Sequence, residues 1–248
     1  MLTRERLAEY LHELLQVDAF DDYAPNGLQV EGRARIRRIV SGVSASLELL
    51  RRAAQFDACA VLVHHGWFWR GEDPRVTGQR HRRLKAALDA ELNLFAYHLP
   101  LDAHPSLGNN AQLAARLGWQ TQAHFGKQQL GLIGHAPQST RAELADALER
   151  LLGRRPLLVG DAAAPVGRLA WCTGAAQGWI EQARAAGADT YVSGEISEPT
   201  THFAREMDIA YLACGHHATE RYGVQALGRH LAEAFGIEHQ FIDVDNPA

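Results

Sequence analysis

His64 and His65 stand side by side at the end of an apolar run, Ala58-Cys59-Ala60-Val61-Leu62-Val63. A second pair, His216 and His217, closes another run, Ile209-Ala210-Tyr211-Leu212-Ala213-Cys214-Gly215, and Glu220 follows four residues after His216. A third run, Leu94-Phe95-Ala96-Tyr97, leads into His98 and then Asp102. Imidazoles and carboxylates delivered just beyond apolar strands are the ligand types of a metal centre. The edge at which they fall, the carboxyl ends of strands, is where open α/β sheets bind ligands. Mixed nitrogen and oxygen donors suit Zn, Fe or Mn better than Ca or Mg. Two divalent transition-metal ions about 3.5–4 Å apart share a bridging water and lower its pKa.

The spacing supports such a set. Adjacent strand residues point to opposite faces, so His64 and His65 approach from two directions. His216 and Glu220, at i and i+4, share one helix face. A glutamate has two oxygens and can bridge two ions. His64, His65, Asp102, His216 and Glu220 are therefore the expected metal ligands. His98 and His104 are near enough in sequence to orient ligands or touch substrate, and His98 is the candidate proton shuttle. His217 is expected to pack. Trp67-Phe68-Trp69 follows directly and either stacks on a base or fills a core or subunit contact.

The elements that must position these residues alternate. Leu7, Leu11, Leu14 and Leu15 mark an opening amphipathic helix. Residues 21–27 form a turn-rich loop. Strands are expected over 36–43, 58–63 and 92–97, with helices over 45–55, 79–91 and 109–117. The order recurs with strands over 168–173, 189–193, 209–214 and 238–242 and helices over 176–186, 199–207 and 219–234. Val40-Ser41-Gly42 answers Cys172-Thr173-Gly174, which points to internal duplication. The fold class expected is α/β: two similar lobes of mostly parallel sheet flanked by helices, 1–125 carrying His64, His65 and Asp102, and 126–248 carrying His216 and Glu220. The dinuclear site would lie between them. Within the intervening segment 124–167, Thr140 and Glu143 make a capping box and Gly153 ends the helix it opens.

The 248 residues suffice for a large core, and 46% apolar with 22% charged residues is ordinary for a globular protein. A net charge of −4 leaves no footprint for nucleic acid. The clusters Arg33/Arg35/Arg37/Arg38 and Arg80/Arg82/Arg83/Lys85 read as solvated faces. No apolar run is long enough to span a bilayer, and the charged N-terminus does not read as a signal peptide. Three cysteines without a C-x-x-C pattern read as buried thiols, consistent with a cytoplasmic protein.

The motifs Asp22-Tyr23-Ala24-Pro25-Asn26-Gly27-Leu28-Gln29-Val30-Glu31-Gly32, His64-His65-Gly66-x-Phe68-Trp69, His98-Leu99-Pro100-Leu101-Asp102, Gly108-Asn109-Asn110 and Gly215-His216-His217-Ala218-Thr219-Glu220 together resemble the NGG-interacting-factor-three-like family. The resemblance covers nearly the whole chain; bacterial members carry the labels dinuclear metal centre protein and GTP cyclohydrolase I type II homologue, and the chain looks especially like the enterobacterial-type member. It implies a toroidal homohexamer with dinuclear sites facing inward. It also implies that His64 and Asp102 serve one ion, His65 and His216 the other, and that Glu220 bridges. Two functions are then open. One is a metal-dependent hydrolase of a nucleotide or related small cyclic substrate, opening a guanine-type ring by a metal-bridging hydroxide. The other is a non-enzymatic metal-binding hexameric scaffold or regulator.

Overall fold

Thirteen strands and ten α-helices follow one another in the computed structural model, which describes residues 2–248. In chain order the first stretch runs β1 (Leu2–Thr3), α1 (Arg4–Leu14), β2 (Gly27–Val30), β3 (Arg35–Ile36), β4 (Arg38–Ser44), α2 (Leu47–Gln55), β5 (Ala60–His65), α3 (Gly78–Asp89), β6 (Asn93–Ala96) and α4 (Leu99–Ala103). Then come α5 (Asn109–Leu117), β7 (Gln120–Phe125), β8 (Gly131–His135), α6 (Arg141–Leu152), β9 (Leu157–Val159), β10 (Leu169–Cys172) and α7 (Ile180–Ala185). The last stretch holds β11 (Thr190–Ser193), α8 (Glu198–Glu206), β12 (Ala210–Ala213), α9 (His216–Thr219), α10 (Arg221–Phe235) and β13 (Glu238–Phe241).

The chain divides into two compact units. The first takes the residues up to Gly108 together with Gly223–Asp245, and the second takes Asn109–Tyr222 with Asn246–Ala248. This differs from a division at residue 125. The reason is backbone pairing. β13 joins β4 in parallel, with His239 opposite Ile39 and Phe241 opposite Ser41. That pairing carries the C-terminal strand, and the helix before it, into the first unit. Val224, Leu227 and Leu231 of α10 accordingly bury against Leu7, Leu11 and Leu15 of the opening helix region.

The first unit is built on a five-stranded sheet, β13-β4-β5-β6-β2. β13, β4, β5 and β6 run parallel, and β2 closes the edge antiparallel to β6. The edge strand β2 lies within the Asp22–Gly32 motif and does not follow from the sequence pattern, because it is only four residues long and carries Gly27 and Gln29. β5 and β6 are buried on both faces, as parallel strands covered by helices must be. Ser46 caps α2 by accepting the Leu49 N–H at 3.1 Å. Trp67 is 5% exposed and donates its indole N–H to the Ala45 carbonyl at 2.9 Å. It therefore fills the core of its own chain.

The second unit has a six-stranded sheet, β7-β8-β10-β11-β12-β9. β10, β11 and β12 pair in parallel with one another, while β8 and β9 flank them antiparallel. The capping box forms as expected: Thr140 accepts the Glu143 N–H, and Gly153 ends α6 in the left-handed region at φ 74°. Trp171, Leu144, Leu148, Val192 and Leu212 centre one side of its core. Cys59, Cys172 and Cys214 are all buried and none is in a disulfide. Among the described residues no helix is long and apolar enough to cross a membrane.

Candidate metal centre

In the first unit, His64 and His65 are the last residues of β5, and His98 and Asp102 follow β6, the latter on α4. Their potential ligand atoms converge: one from each of His64, His65 and His98 lie within 4.8 Å of one another. His64 Nε2 is 3.6 Å from the Oδ2 of Asp102. The three imidazole rings pack with centroids 4.6–5.8 Å apart.

The other nitrogen of each ring is engaged. His64 Nδ1 lies 3.0 Å from the Tyr97 carbonyl oxygen. A carbonyl only accepts, so Nδ1 carries the proton and Nε2 presents its lone pair. His65 Nδ1 meets the Ser44 hydroxyl at 3.1 Å, made possible because Ser44 and His65 are register partners on β4 and β5. His64 is fully buried. A buried imidazole with one nitrogen held by a backbone acceptor is the arrangement that orients a metal ligand.

His98 has a carboxylate behind it. Its Nδ1 lies 2.9 Å from Asp22 Oδ1, and the Asp22 side chain is only 3% exposed. Asp22 also accepts from the N–H of Ala24, the N–H of Leu99 and the amide of Asn26, at 3.1, 3.0 and 3.0 Å. Burial works to raise the Asp22 pKa. His98, Asn26 and the Leu99 N–H outweigh it and hold the carboxyl well below the usual carboxylate range.

In the second unit, Gly215 sits at φ 96° and turns the chain from β12 into the short helix α9. His216 Nε2 then lies 3.1 Å from Glu220 Oε2, and its Nδ1 lies 2.7 Å from Glu195 Oε1. Burial pushes the His216 imidazole down, but Glu220 and then Glu195, by hydrogen bond and charge, raise it to about 9. Glu220 is 3% exposed, and its Oε1 is so close to Gly174 that a Cβ there would overlap it.

All five residues expected as ligands, His64, His65, Asp102, His216 and Glu220, thus belong to groups of side chains able to hold a metal ion, as does His98. His217 packs, at 8% exposure. His104 serves its own turn: its Nδ1 accepts the N–H of Ser106 and of Leu107. Asp22, Ser44 and Glu195 were not singled out for the site from the sequence. Asp22 opens a quoted motif and Glu195 follows a buried strand, so position at a strand end was the available signal for Glu195.

The chain matches the family Duf34/NIF3 (NGG1p interacting factor 3) over residues 2–247. It is 53% identical to a Pseudomonas aeruginosa protein over 98% of this chain and 97% of that one, and 48% identical to a Neisseria meningitidis protein over the full length of both. Each of these relatives is named GTP cyclohydrolase 1 type 2 homolog. Among solved structures, protein ybgI, described as of unknown function, superposes with a TM-score of 0.94 at 45% identity over all of both chains. A Thermus thermophilus protein does so at 0.85 and 30%, again over the whole of both chains. With a family match across its length and curated relatives near half identity, this chain belongs to the Duf34/NIF3 family.

Proposed function

We propose that this protein binds two divalent transition-metal ions and uses them to hydrolyse a nucleotide or related small cyclic substrate. In this reading His64 and Asp102 would hold one ion, His65 and His216 the other, and Glu220 would serve both. The observation that carries it is the state of the imidazoles. His64 is held through Nδ1 by a carbonyl, His65 by a hydroxyl and His216 by a carboxylate, so the Nε2 side of each ring is the one that would face an ion, at His216 in exchange for its 3.1 Å contact with Glu220 Oε2. That donor set fits Zn, Fe or Mn.

Two such ions, when bound, lower the pKa of water and stabilise developing negative charge. The protein supplies the rest. Asp22 keeps the proton on His98 Nδ1, so Nε2 is the atom that takes up or returns a proton. The carboxylate stabilises the imidazolium that forms. The relatives' name supports a GTP-like substrate. The three consecutive parallel strands in each unit support descent from one duplicated unit, and we take the protein to work as a closed, toroidal homohexamer.

The test is elemental analysis of purified protein, joined to a nucleotide and metabolite panel run on wild type, His64→Ala and His216→Ala. Up to two ions per chain and turnover lost in both variants support the reading. Full occupancy without turnover across the panel favours a metal-binding scaffold instead. Light scattering that returns a monomer at micromolar concentration would remove the hexamer.

A further inference from the structure

Beyond Gly66, the residue after His65, lies a cavity of about 330 Å³ within the first unit, at the small end of ligand pockets. Its walls include Trp69, Thr77, Arg75, Arg80 and Arg83. The acidic groups there are already matched. Arg75 pairs with Asp73 at 2.5 Å, and Arg80 pairs with Glu72 at 2.6 Å. Arg83 makes no ion pair of its own within the lining and shares only the charge of Glu72, which Arg80 already pairs. It is half-buried, and its Nε is buried without a hydrogen-bond partner among the described residues. Leaving such a donor unmatched is costly.

The helix that carries Arg80 and Arg83 points the same way. α3 opens Gly78-Gln79-Arg80-His81-Arg82-Arg83, with no acid in its first turn, and Thr77 makes no side-chain capping bond. Cations at a helix N-terminus oppose the macrodipole, whereas an anion there satisfies both the dipole and the free N–H groups. The arrangement is unfavourable empty and favourable filled. Trp69 joins the cavity to the histidines, its ring centroid 5.2 Å from His98 and 5.9 Å from His65.

We propose that this cavity is an anion subsite that holds the phosphate groups of a phosphorylated small-molecule substrate. Arg83 and the α3 N-terminus take the charge, and Trp69 lies alongside the ring that reaches the histidines. The assignment of substrate class rests on the hydrolase reading above; the anion site itself does not.

Inorganic diphosphate is the probe, titrated calorimetrically into the full chain, both as purified and after metal stripping. Stripping matters because diphosphate also binds metal ions. Wild type should bind in both states. Arg83→Gln should weaken binding at least tenfold while metal content stays at the wild-type level. Glu72→Gln, which removes the competing charge and releases Arg80, should tighten binding several-fold. A merely structural Arg83 would not produce that opposite pair of shifts. Binding confined to metal-loaded protein would overturn the proposal, as would an Arg83→Gln affinity equal to wild type, or a weaker Glu72→Gln. Should Arg83→Gln not fold, the Glu72→Gln result decides alone. Diphosphate binding with no turnover of any phosphorylated substrate would sink the hydrolase reading and leave the anion site standing.

Discussion

The Nδ1 of His98 lies 2.9 Å from a carboxylate oxygen of Asp22, a residue 76 positions earlier in the chain. The pair ties the loop before β2 to the turn after β6, and the same carboxylate caps the Leu99 N–H that begins α4. Asp22→Ala leaves several buried donors unmatched. It should lower stability by roughly 2–3 kcal/mol, the scale of hydrogen bonds to charged groups. A shift of the urea midpoint at unchanged slope would show this. His98→Gln should cost less stability and should slow any turnover without emptying the metal site. Loss of metal in that variant would make His98 a ligand.

In the proposed centre Glu195 would act on metal only through His216, whose Nδ1 it holds. Glu195→Gln keeps an acceptor oxygen but removes the negative charge behind the ring, and so lowers its basicity. Affinity should fall roughly 10–100-fold, as is usual when a partner behind a metal-binding histidine is lost. Competition against a chromogenic chelator measures this. An unchanged affinity would show that the 2.7 Å contact has no bearing on the ring.

Glu220→Ala should reduce occupancy more than any other single ligand change, because it removes oxygens proposed to serve both ions. Gly174 offers a gentler probe of the same group. It sits at φ 70°, and a Cβ there would overlap Glu220 Oε1. Gly174→Ala should therefore displace the carboxylate and lower occupancy without deleting it. Elemental analysis of the two variants beside wild type tests both. Wild-type metal in Glu220→Ala would refute the bridging role.

The residues that make up the candidate metal-holding groups were legible because their positions follow from local rules. An apolar run fixes a strand, its carboxyl end fixes where the next side chains project, and i, i+4 fixes the His216–Glu220 contact. The groups behind the ligands were not legible. Ser44 reaches His65 through strand register, Glu195 reaches His216 across neighbouring strands, and Asp22 reaches His98 from a separate loop. Each depends on which strands become neighbours, which periodicity does not state. The unit boundary escaped for the same reason. Residues 238–242 read correctly as a strand, but nothing local says that β13 pairs with β4 rather than with the sheet it follows in sequence. The arginines of α3 looked like a solvated face because their charge is visible in sequence, whereas the cavity beside Arg83 is not.

His239 sets a pH dependence that can be isolated. It lies on β13, its Nε2 meets the buried Ser41 hydroxyl at 2.8 Å, and Gly228 leaves it just enough room. Burial, then the nearby Arg229 charge, lowers its pKa to about 4. In the unfolded chain the ring titrates near 6.5. Between these values the unfolded state binds a proton that the native state refuses, so stability must fall as pH drops. The contribution is intact above about pH 6.5 and is lost by about pH 4, and after solvent screening it is on the order of 1–2 kcal/mol. His104, lowered by burial and by His230, adds a loss of the same sign, so the total alone does not identify the residue. The difference between wild type and His239→Gln does. Glutamine carries no titrating group, so the variant's unfolding free energy should decline less than wild type over that window, with the two curves parallel above it. Curves that stay parallel throughout would mean that the His239 ring is not held neutral in the folded protein.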